Sequence, residues 1–369
     1  MSFKILISGG GTGGHIYPGI SLANEFKKRN HKNEILFIGT KKGMEAKIIP
    51  HEGFKFETII AKGIKRQFCL DSFKAILIFF VSLAQSYKKI RKYRPDIVIG
   101  TGGYVSGAIV LMASILNIPV FIHEQNVIPG ITNKFLSFFA NATFLSFEQS
   151  RKYFKSKNRL IVFGNPIRLK KSVTINKRNY HKYNLNSSKK TILVIGGSKG
   201  AASINRAVFD GIKLIKDFIK ENWQVLLVSG TDDYDKINSK IARDRDIFYV
   251  EKYLYDIGNA YVLADLIICR GGATTLAELN SFGKAAIIVP YPYATNNHQE
   301  LNARVFENKG AAIVITEKEL SGEYLSKKLK DLLQNNDKLN TMAEKSKKME
   351  KKDSAKNIVN FILNHLKEK

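Results

Sequence analysis

Cysteine is nearly absent, with only Cys69 and Cys269 in 369 residues. Two cysteines form no disulfide framework and no metal-ligand spacing, so a reducing compartment is expected. No apolar run reaches the roughly 20 residues a membrane-crossing helix needs. The richest stretch, Phe73 to Ala84, is too short. No signal peptide is visible, because the first apolar run is a short strand with glycines behind it. Acidic residues are scarce: 32 Asp and Glu stand against 59 Lys and Arg, a net charge of +27. That excess suits an anionic partner, whether nucleic acid, an anionic membrane surface or a phosphorylated substrate. It also suits a lysine-biased genome, since Asn and Ile are abundant too. No basic zipper or aromatic-basic RNA-binding pattern occurs, so nucleic acid is not expected as a partner.

What the chain does have is a repeated unit. Strand 3–8 runs into Gly9-Gly10-Gly11-Thr12-Gly13-Gly14-His15 and then a helix from Pro18 to about Arg29. Strand 191–195 runs into Gly196-Gly197-Ser198-Lys199-Gly200. Such loops bring backbone N–H groups and a helix N-terminus up to an anion. Further strands are expected at 34–39, 96–100, 118–123, 142–146 and 160–163, with helices at 43–51, 71–93, 105–116 and 131–139 between them. Gly164-Asn165-Pro166 breaks the rhythm, which resumes with strands at 223–229, 247–250, 265–269, 285–289 and 312–315. This alternation predicts an α/β protein with two Rossmann-like domains, residues 1–165 and 166–350. A last helix near 353–367 offers Ile358, Val359, Phe361, Ile362 and Leu366 for packing. The 44% hydrophobic content is enough for two cores.

Gly9, Gly11 and Gly14 satisfy the dinucleotide fingerprint, but its ribose-binding acid is missing: the second strand ends Ile38-Gly39-Thr40-Lys41. His15 stands where a P-loop needs Lys followed by Ser or Thr. Other groups gather at expected strand ends: Gly100-Thr101-Gly102-Gly103-Tyr104, His123-Glu124-Gln125-Asn126, and Arg270-Gly271-Gly272-Ala273-Thr274-Thr275 with Glu278. In the last, glycines lead into a helix N-terminus, and Glu278 lies about one turn in, placed to reach past a phosphate to a ribose. Asp233-Tyr234-Asp235 and Asp244-Arg245-Asp246 fit a metal-chelating D-x-D pattern, but read as solvated surface. No metal and no cofactor are expected.

These motifs, with Gly164-Asn165-Pro166-Ile167-Arg168, Gly196-Gly197-Ser198 and His298-Gln299 with Asn302, resemble in order the MurG family of bacterial UDP-N-acetylglucosamine:lipid I N-acetylglucosaminyltransferases. The resemblance runs from the first strand to about residue 310. It implies a GT-B fold, with the active site in the cleft between the domains and the final helix, about 353–369, crossing back to the first. The implied reaction is inverting transfer of N-acetylglucosamine from UDP-GlcNAc to the 4-hydroxyl of lipid I, at the cytoplasmic face of the cell membrane. Another UDP-sugar enzyme of the same fold, such as a glycolipid glycosyltransferase or a UDP-GlcNAc 2-epimerase, and a non-catalytic nucleotide-sugar sensor stand as alternatives. By similarity, Ala273, Thr274 and Thr275 hold the diphosphate, Glu278 the ribose, Leu254 the uracil, and His298 and Gln299 the sugar. Arg168 and Ser198 match donor-binding positions, and Thr12, Gly13, Gly14 and Asn126 approach the donor from the first domain. Tyr104, His123 and Glu124 fall to the acceptor. His15 is the candidate general base, since an imidazole suits proton abstraction near neutrality; His123 and Glu124 compete for that role. Lys199 and His298 depart from the Gln common at those positions. Cell-wall synthesis proteins are implied as further partners.

The expected helix 71–93 is apolar nearly all round. Phe73, Ile76, Leu77, Phe80, Leu83, Ala84 and Tyr87 form a core stripe at helical spacing, and Ile78, Phe79 and Val81 fall off it. Lys62, Lys65 and Arg66 precede it; Lys88, Lys89, Arg91 and Lys92 follow. An apolar patch with basic flanks suits an anionic membrane interface, which Ile78 and Phe79 are expected to enter.

Overall fold

A computed structural model describes residues 2–62, 70–155, 159–168, 177–197, 200–254 and 256–367, with backbone alone at 70–76 and 177–178. The chain divides into two compact units, residues 1–168 with 351–369, and residues 169–350.

The first unit begins β1 (Lys4–Gly9), α1 (Gly13–Arg29), β2 (Glu34–Gly39), α2 (Glu45–His51), β3 (Lys55–Thr58) and α3 (Leu70–Tyr93). It continues β4 (Ile97–Gly102), α4 (Tyr104–Ile115), β5 (Val120–Glu124), α5 (Ile131–Leu136), β6 (Ala142–Leu145) and β7 (Arg159–Val162). The second unit opens α6 (Lys177–Lys182), β8 (Lys190–Ile195), α7 (Ala202–Leu214), α8 (Lys216–Asn222), β9 (Trp223–Val228), α9 (Tyr234–Lys240) and β10 (Phe248–Glu251). Then come α10 (Ile257–Leu263), β11 (Leu266–Cys269), α11 (Ala273–Phe282), β12 (Ala285–Ile288), α12 (His298–Asn308), β13 (Ala312–Val314), α13 (Gly322–Leu333) and α14 (Asn336–Lys348). The last helix, α15 (Ser354–Lys367), belongs to the first unit.

Both sheets are parallel, in the orders β3-β2-β1-β4-β5-β6-β7 and β10-β9-β8-β11-β12-β13. Their central strands are continuous apolar runs because helices cover both faces. Side chains of β1 alternate between the two cores: Ile5 and Ile7 join one with α1 and α15, Leu6 the other with α4. Strand β3 was not expected. Its sequence, Lys-Phe-Glu-Thr, is short and half-exposed, and only pairing with β2 at the sheet edge makes it a strand.

The structure changes the expected facing of α3 in part. Leu83 packs on the core and Val81 points outward, as expected, but Leu77, Phe80, Ala84 and Tyr87 also point outward, and Phe79, expected outside, packs on the core; the side chains of Phe73 and Ile76 lie outside the described residues. Two buried serines set this rotation. Ser82 donates to the carbonyls of Ile60 and Ile78, and Ser86 donates to Ser82 O at 2.6 Å. With their hydroxyls satisfied by backbone, these small side chains can face inward.

In α15, Ile358, Val359 and Ile362 are fully buried in the cluster that holds Ile5, Phe121 and Phe144. Phe361 stands edge-on to Phe144, ring centroids 5.5 Å apart. Truncating Ile362 to Ala is therefore expected to cost the first unit about 2–5 kcal/mol. The sole tryptophan, Trp223, is buried in the second unit. Urea unfolding followed by circular dichroism should thus show a loss that Trp223 fluorescence does not; an equal shift in both signals would contradict this.

Candidate active site

In each sheet the strand order reverses beside the unit's first strand, between β1 and β4 and between β8 and β11. Connections leaving those neighbours go to opposite faces, which opens a crevice at the carboxyl ends, where such sheets place their sites. The loops that leave these strands are the glycine-rich ones.

In the first unit, glycine serves close packing. Gly10 N–H donates to Gly102 O at 3.2 Å. A Cβ on Gly103 would lie 2.5 Å from Gly10 O, and one on Gly102 2.5 Å from His15 Nδ1. The other side of the first loop leans on Glu45: a Cβ on Gly10, Gly39 or Gly43 would come within 2.5 Å of its side chain. Fully buried, Glu45 accepts from Gly11 N–H (2.9 Å), Thr40 N–H (3.0 Å) and the Thr40 hydroxyl (2.7 Å). Burial pushes its pKa up, but these donors outweigh burial and hold it below the ordinary carboxylate range. An internal carboxylate thus occupies Gly11 N–H, which corrects the reading of the loop as a bare anion cradle. Its open side begins at Gly11, where an added Cβ meets nothing within 4 Å, and continues through the exposed Thr12 at the N-cap of α1 to Gly13 and Gly14.

His15 closes the loop, half-buried. Its Nδ1 lies 3.0 Å from Thr101 O and 3.1 Å from Gln125 Oε1. Both are acceptors, so Nδ1 carries the proton and Nε2 keeps its lone pair, a tautomer assigned from the bonding geometry. No hydrogen bond engages Nε2 among the described residues.

His123 and Glu124 do not meet the roles expected of them. Strand β5 runs one residue past the expected end at 123, so Glu124 lies in the sheet with His123. His123 is fully buried, with Nε2 3.1 Å from Gly164 O and Nδ1 3.0 Å from Gln125 Nε2. Burial pushes its pKa down to about 4, against the raising effect of the Gly164 carbonyl. Neither an acceptor nor a transferable proton reaches it. Glu124 is 1% exposed, and its carboxylate accepts from Asn126 N–H (2.9 Å), Gly130 N–H (3.1 Å) and the Asn133 amide (2.8 Å). It shapes the 124–130 turn instead of facing substrate. Tyr104, first in α4, is 64% exposed, and Asn126 is half-buried beside Glu124. Arg168 pairs with Glu52 and lies over the Tyr17 ring at 5.3 Å.

In the second unit, Gly272 is the N-cap of α11 and brings no side-chain cap, and Ala273, Thr274 and Thr275 form the first turn of the helix, at the positive end of its dipole. Glu278 lies one turn in, and its Oε2 accepts from the Tyr261 hydroxyl at 2.8 Å. Tyr261 is fully buried on α10, flat against Phe282 at 5.3 Å. Burial, then the Glu278 charge, raise its pKa well above the ordinary value, so it stays a donor. Sequence reasoning missed Tyr261, Glu45 and Gln125 as organisers: each acts through a contact distant along the chain.

Helix α12 starts beside the same turn. A Cβ on Gly271 would lie 2.3 Å from Gln299 O, and the buried Asn302 amide donates to Gly271 O at 3.2 Å. His298 and Gln299 thereby sit next to the start of α11. Gln299 Oε1 accepts from Tyr291 N–H at 3.0 Å, and His298 Nδ1 donates to Thr295 O at 2.7 Å. Asn296 and Asn297, just before, are both left-handed at φ 55° and 52°, strain of the kind functional sites hold. Leu254 is half-buried after β10, and Ser198 and Lys199 lie outside the described residues. Of the D-x-D aspartates Asp235 is exposed, as expected, Asp233 accepts from the Asn205 amide and Asp246 pairs with Lys220; Asp244 is buried and paired with Lys216, which corrects its reading as solvated surface. Among the described residues no cluster of three or more His, Cys, Asp or Glu could hold a metal.

The buried His123 makes stability depend on pH. Between about 4 and the ordinary 6.5, the unfolded chain binds a proton here that the folded one refuses. Its contribution is complete above 6.5 and is lost as pH falls toward 4. The wild type should lose on the order of 3 kcal/mol more than His123→Gln across that window, read by urea unfolding at stepped pH. Parallel curves would remove the assignment.

The glycosyltransferase family 28 N-terminal domain matches residues 5–145, and the family 28 C-terminal domain matches 191–358. A protein of Thermoanaerobacter sp. (strain X514), named UDP-N-acetylglucosamine–N-acetylmuramyl-(pentapeptide) pyrophosphoryl-undecaprenol N-acetylglucosamine transferase, is 44% identical, covering 97% of this chain and 99% of its own. The crystal structure of Acinetobacter baumannii MurG superposes with a TM-score of 0.77 at 26% identity, covering 98% of this chain and 99% of that one. The UDP-GlcNAc 2-epimerase of Neisseria meningitidis, at 15% identity and a TM-score of 0.70 over 98% of this chain and 100% of that one, shares the fold alone. With a relative so similar over nearly its full length, and both domain types in order, this chain belongs to glycosyltransferase family 28 and, within it, to the MurG family of N-acetylglucosamine transferases.

Proposed function

We propose that this protein transfers N-acetylglucosamine from UDP-GlcNAc to the 4-hydroxyl of the N-acetylmuramic acid of lipid I, with inversion to a β-1,4 link. One observation carries the donor assignment: the uncapped start of α11, Glu278 held by Tyr261, and His298-Gln299 converge on one turn of the second unit. Diphosphate suits the helix start, where the dipole and backbone N–H groups are positive. Two vicinal ribose hydroxyls suit a carboxylate one turn into that helix, oriented by Tyr261. The hydroxyls of the sugar suit His298 Nε2 and the Gln299 amide.

In the reaction, the acceptor 4-oxygen forms a bond to the anomeric carbon as the bond to the diphosphate oxygen breaks. The electron pair leaves with UDP. His15 Nε2, bearing the lone pair, takes the hydroxyl proton. Backbone dipole at α11 stabilises the charge that grows on the diphosphate; no metal and no cofactor are assigned a part in this. The test is turnover of labelled UDP-GlcNAc on a short-chain lipid I analogue with EDTA present. Transfer to diacylglycerol instead, or epimerisation without transfer, would overturn the reading. Loss of turnover that Mg²⁺ or Mn²⁺ restores would overturn the metal-free part.

Membrane docking is the second part of the proposal. No helix among the described residues is long and apolar enough to cross a membrane. The outward face of α3, with Leu77, Phe80 and Val81, is exposed, and so are Ile131 and Phe135 of α5 and Phe138 just after it. Both helices flank α4 at Gly107, where a Cβ would touch Thr132 and Phe79. An acceptor with a polyprenyl chain stays in the bilayer, so an exposed apolar face with the exposed Lys88 and Arg91 further along α3 suits an anionic surface.

Two expectations follow. Glu278→Ala should raise donor KM with little change in kcat, a loss of roughly 2–4 kcal/mol for two charge-assisted bonds. Tyr261→Phe should repeat part of that loss; an unchanged donor KM in both would withdraw the ribose assignment. For the membrane face, Phe80→Ser with Phe135→Ser should reduce co-sedimentation with anionic vesicles, and Ile78→Ser should do so less. Equal binding by the folded double variant and the wild type would return this face to ordinary surface.

A further inference from the structure

We propose that Gln125 is a positioning residue which, through the buried His123, ties the tautomer and ring orientation of His15 to the backbone carbonyl of Gly164. This rests on the reading of His15 as the general base and deepens it. The sequence of hydrogen bonds admits one proton arrangement. Gly164 O can only accept, so the ring nitrogen 3.1 Å away, His123 Nε2, carries hydrogen. His123 is neutral in its buried setting, so its Nδ1 holds a lone pair and needs a donor. Gln125 Nε2 supplies it at 3.0 Å and spends its other hydrogen on Thr101 O at 2.8 Å. Turning the amide over would aim its oxygen at two acceptors. Gln125 Oε1 must therefore face His15, 3.1 Å from Nδ1, and Thr101 O faces the same nitrogen at 3.0 Å. Two acceptors on Nδ1 leave Nε2 as the basic atom.

Gln125 is 1% exposed, and burying an amide is costly unless all its groups are bonded. Here its oxygen and both amide hydrogens are used in this arrangement, and the remaining acceptor, His123 O, is the most distant from Nε2, at 3.3 Å. No other side chain of that length donates two hydrogen bonds and accepts one: Glu cannot donate twice, and Met can do neither. The anchor is rigid as well. Gly164 has φ 86°, and a Cβ there would lie 2.3 Å from Lys351 Cβ, where the chain enters the α15 segment. When Nε2 takes the acceptor's proton, the imidazolium keeps Nδ1–H pointed at Thr101 O and Gln125 Oε1, so the same two oxygens stabilise the new charge. The relay itself passes no proton.

The test uses the full chain labelled with ¹⁵N-histidine. Long-range ¹H–¹⁵N spectra at pH 8, assigned with His15→Gln, should show opposite tautomers: hydrogen on Nδ1 of His15 and on Nε2 of His123. Either ring in the other form in the wild type overturns the proposal, with no variant needing to fold. Gln125→Met should lower kcat about tenfold, within the span a positioned base supplies, with donor KM unchanged to within about twofold. Its His15 signals should move toward a tautomer mixture. A folded Gln125→Met with wild-type kcat and unmoved His15 signals also overturns it. The two readings separate through His15→Gln: full turnover there removes the base assignment, whereas a dead His15→Gln beside an active Gln125→Met removes only the relay.

Discussion

The carboxyl end of the first sheet depends on how closely two backbone segments approach. The loops after β1 and β4 touch main chain to main chain, with Gly10 N–H on Gly102 O and Gly103 against Gly10 O. No Cβ fits between them. His15 lies over Gly102, so the same close approach that joins the loops also seats the imidazole. Glycine is entropically expensive to order, and the buried Glu45 offsets that cost by binding Gly11 and Thr40 from behind.

Residue type alone says little about role in this molecule; surroundings decide. His15 and His123 sit at the ends of one hydrogen-bonded line, yet one keeps a bare nitrogen and the other has both engaged. Among the carboxylates, Glu45 and Glu124 are consumed by backbone N–H groups, while Glu278 is held at one oxygen by a buried tyrosine. The first pair shape loops. The last lies one turn into a helix, beside its start.

The second unit repeats the strand order of the first and uses it differently. After β11 it places a helix start with no side-chain cap, and a second helix start is pinned beside it through Gly271 and Asn302. The strained pair Asn296 and Asn297 turns the chain so that His298 and Gln299 open α12 at that point. A left-handed pair of non-glycine residues persists only where surrounding contacts over-determine it.

Much of this was legible along the chain. Short continuous apolar strands alternating with helices determine a parallel α/β architecture, and glycines directly after strands mark the sheet ends. Those are local properties, written in consecutive residues. The order of the motifs was enough to indicate the family. What only the tertiary structure decided is which side of an element is covered. Helix α3 carries apolar residues around most of its circumference, so its sequence could not say that Phe79 faces α4 while Phe80 faces out; the neighbour and the two buried serines did. Strand β5 continues through His123 and Glu124 because β6 pairs alongside them, which turned two expected site residues into interior ones. Strand β3 exists only because β2 offers an edge. Tyr261 and Glu45 act on residues far along the chain, and such partnerships have no local signature: they arise when parallel crossovers bring distant strand ends together.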